Sequence, residues 1–326
     1  MRDIILSMKI LLVRWGGLGD LLVCLPAIRL VRDGLPNSDI TLVARGEGAG
    51  LLLRAGVVDR VVGPDDRRTL ALVPSSGTGE RNFQPDRSAW LDGFDLSVTW
   101  LNRAPGEVSE PGRGGEEGRR ARISIACDGS RRERMSEFFY RRTLQALDSD
   151  FQGRPGFAEC AGLPLDLLPE AQGHNRPDCG GLGRPQVVIH PGSGGEMKRW
   201  PLDNFFEIAG RLQARGAKGA LITGEAEAAL NERVGTAARS LGWPWLRSPS
   251  LAELAPLLGK VRLYLGNDSG VTHLAAACGA RVLALFRDEF VDEWRPYGDS
   301  RVLSADRVAA VPLEAVWGEV AQMLCN

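Results

Sequence analysis

The chain is poor in several things at once, and each shortage closes off a class of protein. Its six cysteines, Cys24, Cys127, Cys160, Cys179, Cys278 and Cys325, include no C-x-x-C pair. Reduced thiols are therefore expected, with neither a zinc site nor a disulfide framework. The three histidines, His174, His190 and His273, are too scattered to suggest a metal cluster. Net charge is almost absent: 40 basic against 41 acidic residues leave −1, which excludes a strongly basic nucleic-acid binder. No uncharged apolar run reaches the roughly 18 residues of a membrane span. The apolar opening MRDIILSMKILLVRWGG is broken by Lys9 and Arg14 and has no small-residue cleavage site after it, so it does not read as a signal peptide. Met8 is a candidate start, because the first strand is expected to begin at Lys9. Lysine is the scarcest charge: only Lys9, Lys198, Lys218 and Lys260 stand among the 40 basic residues. A lysine in this chain is more informative than usual, even if codon bias set the background.

What is present is the composition of a folded protein, 44% hydrophobic and 25% charged over 326 residues. That length suggests two domains, and 40 glycines suggest many tight turns. Apolar runs at Lys9–Arg14, Asp39–Ala44 and Val57–Val62 read as strands, with later ones at Phe94–Trp100 and Arg122–Ala126. Helical spacing covers Leu18–Arg32, where Pro26 predicts a kink or broken turn, and Glu133–Leu147. Pro64–Ser88, Asn102–Gly118 and Gln152–Pro185 lose regularity, and the last is the best interdomain linker. A second series then starts. Strands are expected at Gln186–His190, Ala217–Thr223, Val261–Leu265 and Arg281–Phe286. Helices are expected at Leu202–Ala214, Glu225–Ser240, Ser250–Leu258 (with Ser250 as N-cap and Glu253 completing a capping box), Ser269–Cys278 and Val311–Leu324. Two β/α series predict two doubly wound Rossmann-like domains, residues 1–168 and 185–326, facing a central cleft. The terminal helix, 311–326, is a candidate to pack back on the amino-terminal domain.

Three motifs fall at strand-to-helix junctions. In Arg14-Trp15-Gly16-Gly17-Leu18-Gly19-Asp20, Gly17 and Gly19 are the expected glycine turn. It fits a dinucleotide fingerprint poorly, since Leu22 occupies the last glycine position and the second strand ends at Ala44-Arg45 with no acidic residue for a ribose. Asp20 would repel an anion and suits a hydroxyl-bearing substrate, or it simply caps its helix. The run His190–Pro201 (HPGSGGEMKRWP) offers small residues, the Ser193 hydroxyl and the Lys198 charge to a phosphate, or is a solvated loop. The run Gly266–Ala277 (GNDSGVTHLAAA) opens a helix with Asp, Ser, Gly and Thr, which makes an anion cradle or an ordinary well-capped helix. No G-x-S-x-G elbow or paired-carboxylate metal motif accompanies them.

Taken together, ILLVRWGGLGD with LPAIRLV, HPGS…KRWP, GNDSGVTHLAAA, LALF and WRPYG make the chain resemble glycosyltransferase family nine, the ADP-heptose:lipopolysaccharide heptosyltransferases. The matches run in family order, with weakest coverage over 64–185. The resemblance implies a GT-B fold and an inverting, metal-independent transfer of heptose from ADP-heptose to a lipopolysaccharide-core or related glycan acceptor. Asp20 falls at the catalytic base. Ser193, Gly194 and Lys198 fall in the donor-phosphate loop, Gly224 and Glu225 near the nucleoside, and Asp268, Ser269, Gly270, Thr272 and His273 in the donor signature. The nucleotide sugar is then a substrate, and no cofactor or metal is implied. The chain is expected in the cytoplasm, with peripheral contact to the inner-membrane surface and no nucleic-acid partner. Residues 112–142 carry nine Arg against five acids, which suits an anionic glycolipid or glycan acceptor or is a solvated face. A degenerate sugar-nucleotide binding protein and an NAD-dependent oxidoreductase are the alternatives. The first is disfavoured by having both Asp20 and Lys198, the second by the incomplete fingerprint.

Overall fold

Short β-branched and leucine-rich runs that end at glycines leave little choice but parallel strands buried on both faces. The computed structural model describes residues 8–63, 65–72, 90–101, 121–126, 133–147, 155–168 and 185–325. The chain divides into two compact units, one of residues 1–131 and 136–160, the other of 132–135 and 161–326.

In the first unit the order is β1 (Lys9–Arg14), α1 (Leu18–Val23), α2 (Leu25–Gly34), β2 (Asp39–Val43), α3 (Gly46–Arg54), β3 (Arg60–Val62), β4 (Leu96–Leu101), β5 (Ala121–Ala126), α4 (Met135–Ala146) and α5 (Phe157–Cys160). The strands form one parallel sheet ordered β3-β2-β1-β4-β5. Ile10, Leu11, Leu12 and Val13 of the central β1 have no exposed surface, each such burial being worth about 1.5–3 kcal/mol. The break foreseen at Pro26 is real. The chain leaves α1 at Cys24 and re-enters a helix at Leu25, with the proline in the first turn, where no amide donor is needed. Trp100, at the end of β4, is fully buried and donates its indole N–H to Thr143 Oγ1 at 2.9 Å, tying the sheet to α4. The helix Gly46–Arg54 had no counterpart in the sequence reading, because its glycine-rich start hides its apolar period.

The second unit runs β6 (Val187–His190), α6 (Leu202–Ala214), β7 (Gly219–Thr223), α7 (Asn231–Leu241), β8 (Trp245–Arg247), α8 (Leu251–Leu258), β9 (Leu263–Asn267), α9 (Gly270–Ala277), β10 (Val282–Arg287), α10 (Asp288–Trp294), β11 (Ser300–Ala305) and α11 (Leu313–Cys325). Its parallel sheet is ordered β11-β10-β9-β6-β7-β8. The chain therefore winds outward from β6 in one direction and from β9 in the other. The switch point lies between those neighbours, where such sheets bind ligands. The single helix expected over Glu225–Ser240 is instead a 3-10 turn, Glu225–Leu230, followed by α7, with Glu227 out of helical conformation. The short β8, α10 and β11 were not foreseen. The terminal helix buries Val316, Val320 and Met323 in the core built around Trp200, Phe205 and Leu265 of the second unit. Among the described residues no helix is long and apolar enough to cross a membrane. Cys127, His174 and Cys179, and most of the Arg-rich run (112–120 and 127–132), lie outside the described residues.

Candidate active site

In the first unit the site is built on the end of β1. Arg14 is 1% exposed and satisfies its guanidinium locally. Its Nε donates to Asp20 O at 3.0 Å, its Nη1 to Trp100 O at 3.2 Å and its Nη2 to Asp20 Oδ1 at 3.1 Å. The ring of Phe139 lies 5.1 Å beneath it. The other carboxylate oxygen, Oδ2, accepts the Gly17 N–H at 3.0 Å across the first turn of α1. Asp20 is therefore a capping acid and an ion-pair partner at once, and its side chain keeps 26% of its surface open. The residue that has to be glycine is Gly16. Its φ is +132°, and a Cβ there would sit 2.6 Å from Asp20 Cβ. Gly17 has extended backbone and Gly19 lies inside α1, so the expected glycine turn is displaced by one residue. Cys24 is fully buried one turn further on, and burial pushes its thiol up to about 12, which leaves it inert.

In the second unit three strand ends converge on the switch point. The loop after β6 carries Ser193, whose Oγ donates to Asp268 O at 2.8 Å, and Lys198, whose Nζ donates to Asp268 Oδ2 at 2.6 Å. Lys198 Nζ also lies 5.2 Å from the centre of the Phe290 ring on α10. Gly194 has open space where a side chain would project. Buried Asn267 clamps this loop at both ends, accepting Trp200 N–H at 3.1 Å and donating to Pro191 O at 2.8 Å. Ser269 is the N-cap of α9, its Oγ accepting the Thr272 N–H at 3.3 Å. Gly270 opens that helix, so its first amides are free to meet an anion. Thr272 and His273, in the first turn of the same helix, are both buried. After β7, Gly224 donates its N–H to Glu227 Oε2 at 2.7 Å, while Glu225 is exposed. Glu227 and His190 are both buried, with Oε2 and Nε2 3.7 Å apart. The His190 imidazole beside it, helped by the Gly224 amide, holds the Glu227 carboxyl below its ordinary value despite burial. Among the described residues no group of three or more His, Cys, Asp or Glu is placed to hold a metal ion.

Ser193, Lys198, Asp268 and Ser269 are thus brought together. Arg14, His190 and Asn267 stand inside the three sequence motifs without an assigned role, and Glu227 stands outside them. The Gly224-x-x-Glu227 spacing was an available signal, because it sets an acid three residues after the cap, the acidic half of the capping box that Ser250 and Glu253 form in full.

A family model described as glycosyltransferase family 9 (heptosyltransferase) matches residues 134–312, more than half of the chain. The chain belongs to glycosyltransferase family 9. This family 9 chain is 28% identical over 313 residues to lipopolysaccharide heptosyltransferase 1 of Pseudomonas aeruginosa, covering 90% of this chain and 83% of that one. It is 27% identical over 128 residues to lipopolysaccharide heptosyltransferase 3 of Escherichia coli, 38% of each chain. Its fold is similar to that of a family 9 glycosyl transferase from Veillonella parvula, with a TM-score of 0.71, 16% identity and coverage of 98% and 97%. The Escherichia coli heptosyltransferase WaaC, solved with ADP, matches with a TM-score of 0.67, 16% identity and coverage of 97% and 100%. The family 9 chain is a glycosyltransferase, α/β in class, with two Rossmann-like domains of the GT-B type.

Proposed function

We propose that this glycosyltransferase is an inverting heptosyltransferase that takes heptose from ADP-heptose and places it on a lipopolysaccharide-core glycan. The observation that carries the donor half is the meeting of Lys198, Ser193 and the capped start of α9 at the switch point of the second sheet. In this reading Lys198 and the α9 amides receive the diphosphate, and Gly224 and Glu225 lie toward the nucleoside. The acceptor hydroxyl oxygen attacks the anomeric carbon on the face opposite the diphosphate. The old C–O bond breaks with its electron pair going to the leaving phosphate oxygen, and the hydroxyl proton passes to Asp20. Positive charge for the leaving group comes from the lysine and the helix amides, so the reading invokes no metal. The heptose and lipopolysaccharide assignments are supported by the names of the curated relatives. The reading includes an anionic glycolipid as acceptor and work at the inner face of the cytoplasmic membrane.

Replacing Asp20 by Asn keeps an acceptor for Arg14 but removes the base. Transfer is expected to fall by about 10²–10⁴-fold, with ADP affinity measured by calorimetry nearly unchanged. The anomeric configuration of the product, read by NMR, tests inversion. Turnover near that of the wild type in Asp20→Asn refutes the base assignment. A wild-type protein that binds ADP yet transfers nothing in the same assay is a degenerate binding protein.

A further inference from the structure

We propose that Glu227 and His190 are positioning residues for the donor diphosphate. In this proposal Glu227 fixes which nitrogen of His190 carries the proton, and His190 thereby fixes the Ser269 cap at the start of α9. The proposal rests on reading the second unit as the donor site.

The geometry is that of a relay across three strand ends. Glu227 follows β7, His190 ends β6, and Ser269 follows β9. Glu227 Oε2 is pinned by the Gly224 N–H at 2.7 Å and lies 3.7 Å from His190 Nε2. On the other side of the ring, Nδ1 lies 3.5 Å from Ser269 Oγ. Two glycines make room for the carboxylate. A Cβ at Gly192 would come within 2.3 Å of Glu227 Cδ, and one at Gly224 within 2.9 Å of Oε2. The loop that carries Ser193 and Lys198 is therefore laid directly on this carboxylate.

Stability does not explain the arrangement, because buried ion pairs replaced by apolar residues of similar size are often as stable or more so. Proton placement does. The nitrogen facing a carboxylate is the one that keeps its proton, since a lone pair there would be repelled. That leaves Nδ1 bare, able to accept the Ser269 hydroxyl. The oxygen lone pairs of Ser269 then remain on the Thr272 N–H, which is the capping geometry. With the proton on Nδ1 instead, the ring would compete with the Thr272 N–H for those lone pairs and loosen the cap. Thr272 Oγ1, whose own proton goes to Asn267 O, lies 3.0 Å from Ser269 Oγ and is a second acceptor for the Ser269 proton, so a bare Nδ1 shares that proton with Thr272 while a protonated Nδ1 turns against the Ser269 lone pairs. A loosened cap lets the first turn of α9 fray, and with it the amides that meet the diphosphate.

The test has two arms. The chain has three histidines, so ¹⁵N-histidine NMR of the whole protein, assigned with His174→Gln and His273→Gln, reads the His190 ring. The expected spectrum shows a proton on Nε2 and a bare Nδ1; a proton on Nδ1 alone overturns the proposal. In Glu227→Gln, which still accepts the Gly224 N–H, the proton is expected to move to Nδ1. The Kd for ADP is then expected to rise about ten-fold, as for loss of an outer partner that orients a ligating group. An unchanged ring, or an ADP constant within about two-fold of wild type, overturns it too. Lys198→Ala in the same titration separates the two readings. If Lys198→Ala weakens ADP binding and Glu227→Gln does not, the relay is wrong and the donor site stands. If Lys198→Ala leaves ADP binding unchanged, the donor site is wrong, while the wild-type ring spectrum still judges the relay. That spectrum needs no variant, so it decides even if Glu227→Gln fails to fold.

Discussion

Lys198 illustrates how a rare residue type becomes readable. In a chain with four lysines, the one that follows a glycine loop lies in an ion pair with Asp268 at a sheet switch point. A charge-assisted hydrogen bond is worth about 1.5–3 kcal/mol. Lys198→Ala is accordingly expected to raise the ADP dissociation constant about 10–100-fold, measured by calorimetry. Glu227 gives a second prediction. His190 holds its carboxyl below the ordinary 4.5. A depressed acid adds stability that is fully present above its unfolded value and is lost as pH falls through the folded one. Urea unfolding followed from pH 6 downward should show wild-type stability declining below about 4.5 more steeply than that of Glu227→Gln. Equal slopes would remove Glu227 from the acid response. The sequence exposed Asp20, Ser193, Lys198 and Asp268 because each carries a reactive group at a glycine-rich junction. It hid Arg14 and Asn267 because their work is to satisfy backbone carbonyls and amides of segments far along the chain, at Trp100 and at Pro191 and Trp200.

At the scale of elements, helix starts do most of the organising. Among the described residues four of them pair an acid at the third helical position with the amide of the cap: Asp20 with Gly17, Glu159 with Gly156, Glu227 with Gly224 and Glu253 with Ser250. Asp20 and Glu227 lie in candidate sites, and the other two are structural. The helix α8 is short and contains Pro256, which cannot donate to the turn before it. It therefore depends on its box, where Ser250 Oγ accepts the Glu253 N–H at 3.3 Å and Glu253 Oε2 accepts the Ser250 N–H at 2.9 Å. Ser250→Ala is expected to cost about 1 kcal/mol, read by thermal or urea unfolding, with ADP affinity unaltered. The box and the kink at Pro26 were legible because each depends on residues a few positions apart. The elements that escaped, α3, α5, β8, α10 and β11, are short or glycine-rich, and apolar spacing alone does not define them. Glu225–Ser240 was misread as one helix because apolar spacing does not register the turn at Glu227.

At the scale of the whole molecule, two successive β/α series were enough to foresee two parallel sheets. The strand orders required the structure, since strand spacing along the chain says nothing of which strand lies beside which. If the second unit binds the nucleotide, ADP at about 100 times its dissociation constant should stabilise the protein by about 2.7 kcal/mol. A thermal-shift panel of nucleotides and nucleotide sugars measures this. The absence of any shift with adenine nucleotides, against one with uridine or guanosine nucleotides, would redirect the donor assignment.

The Lys198–Asp268 contact carries one more consequence. The ammonium group already has an anionic companion at 2.6 Å and an aromatic face 5.2 Å away. If the proposed donor site is right, binding would be an exchange of counter-ions rather than the filling of a bare charge. A monophosphate or inorganic phosphate would then gain little over the carboxylate it displaces, whereas a diphosphate would hold the lysine and the helix start together. On that reading the resting ion pair would be a threshold against small anions.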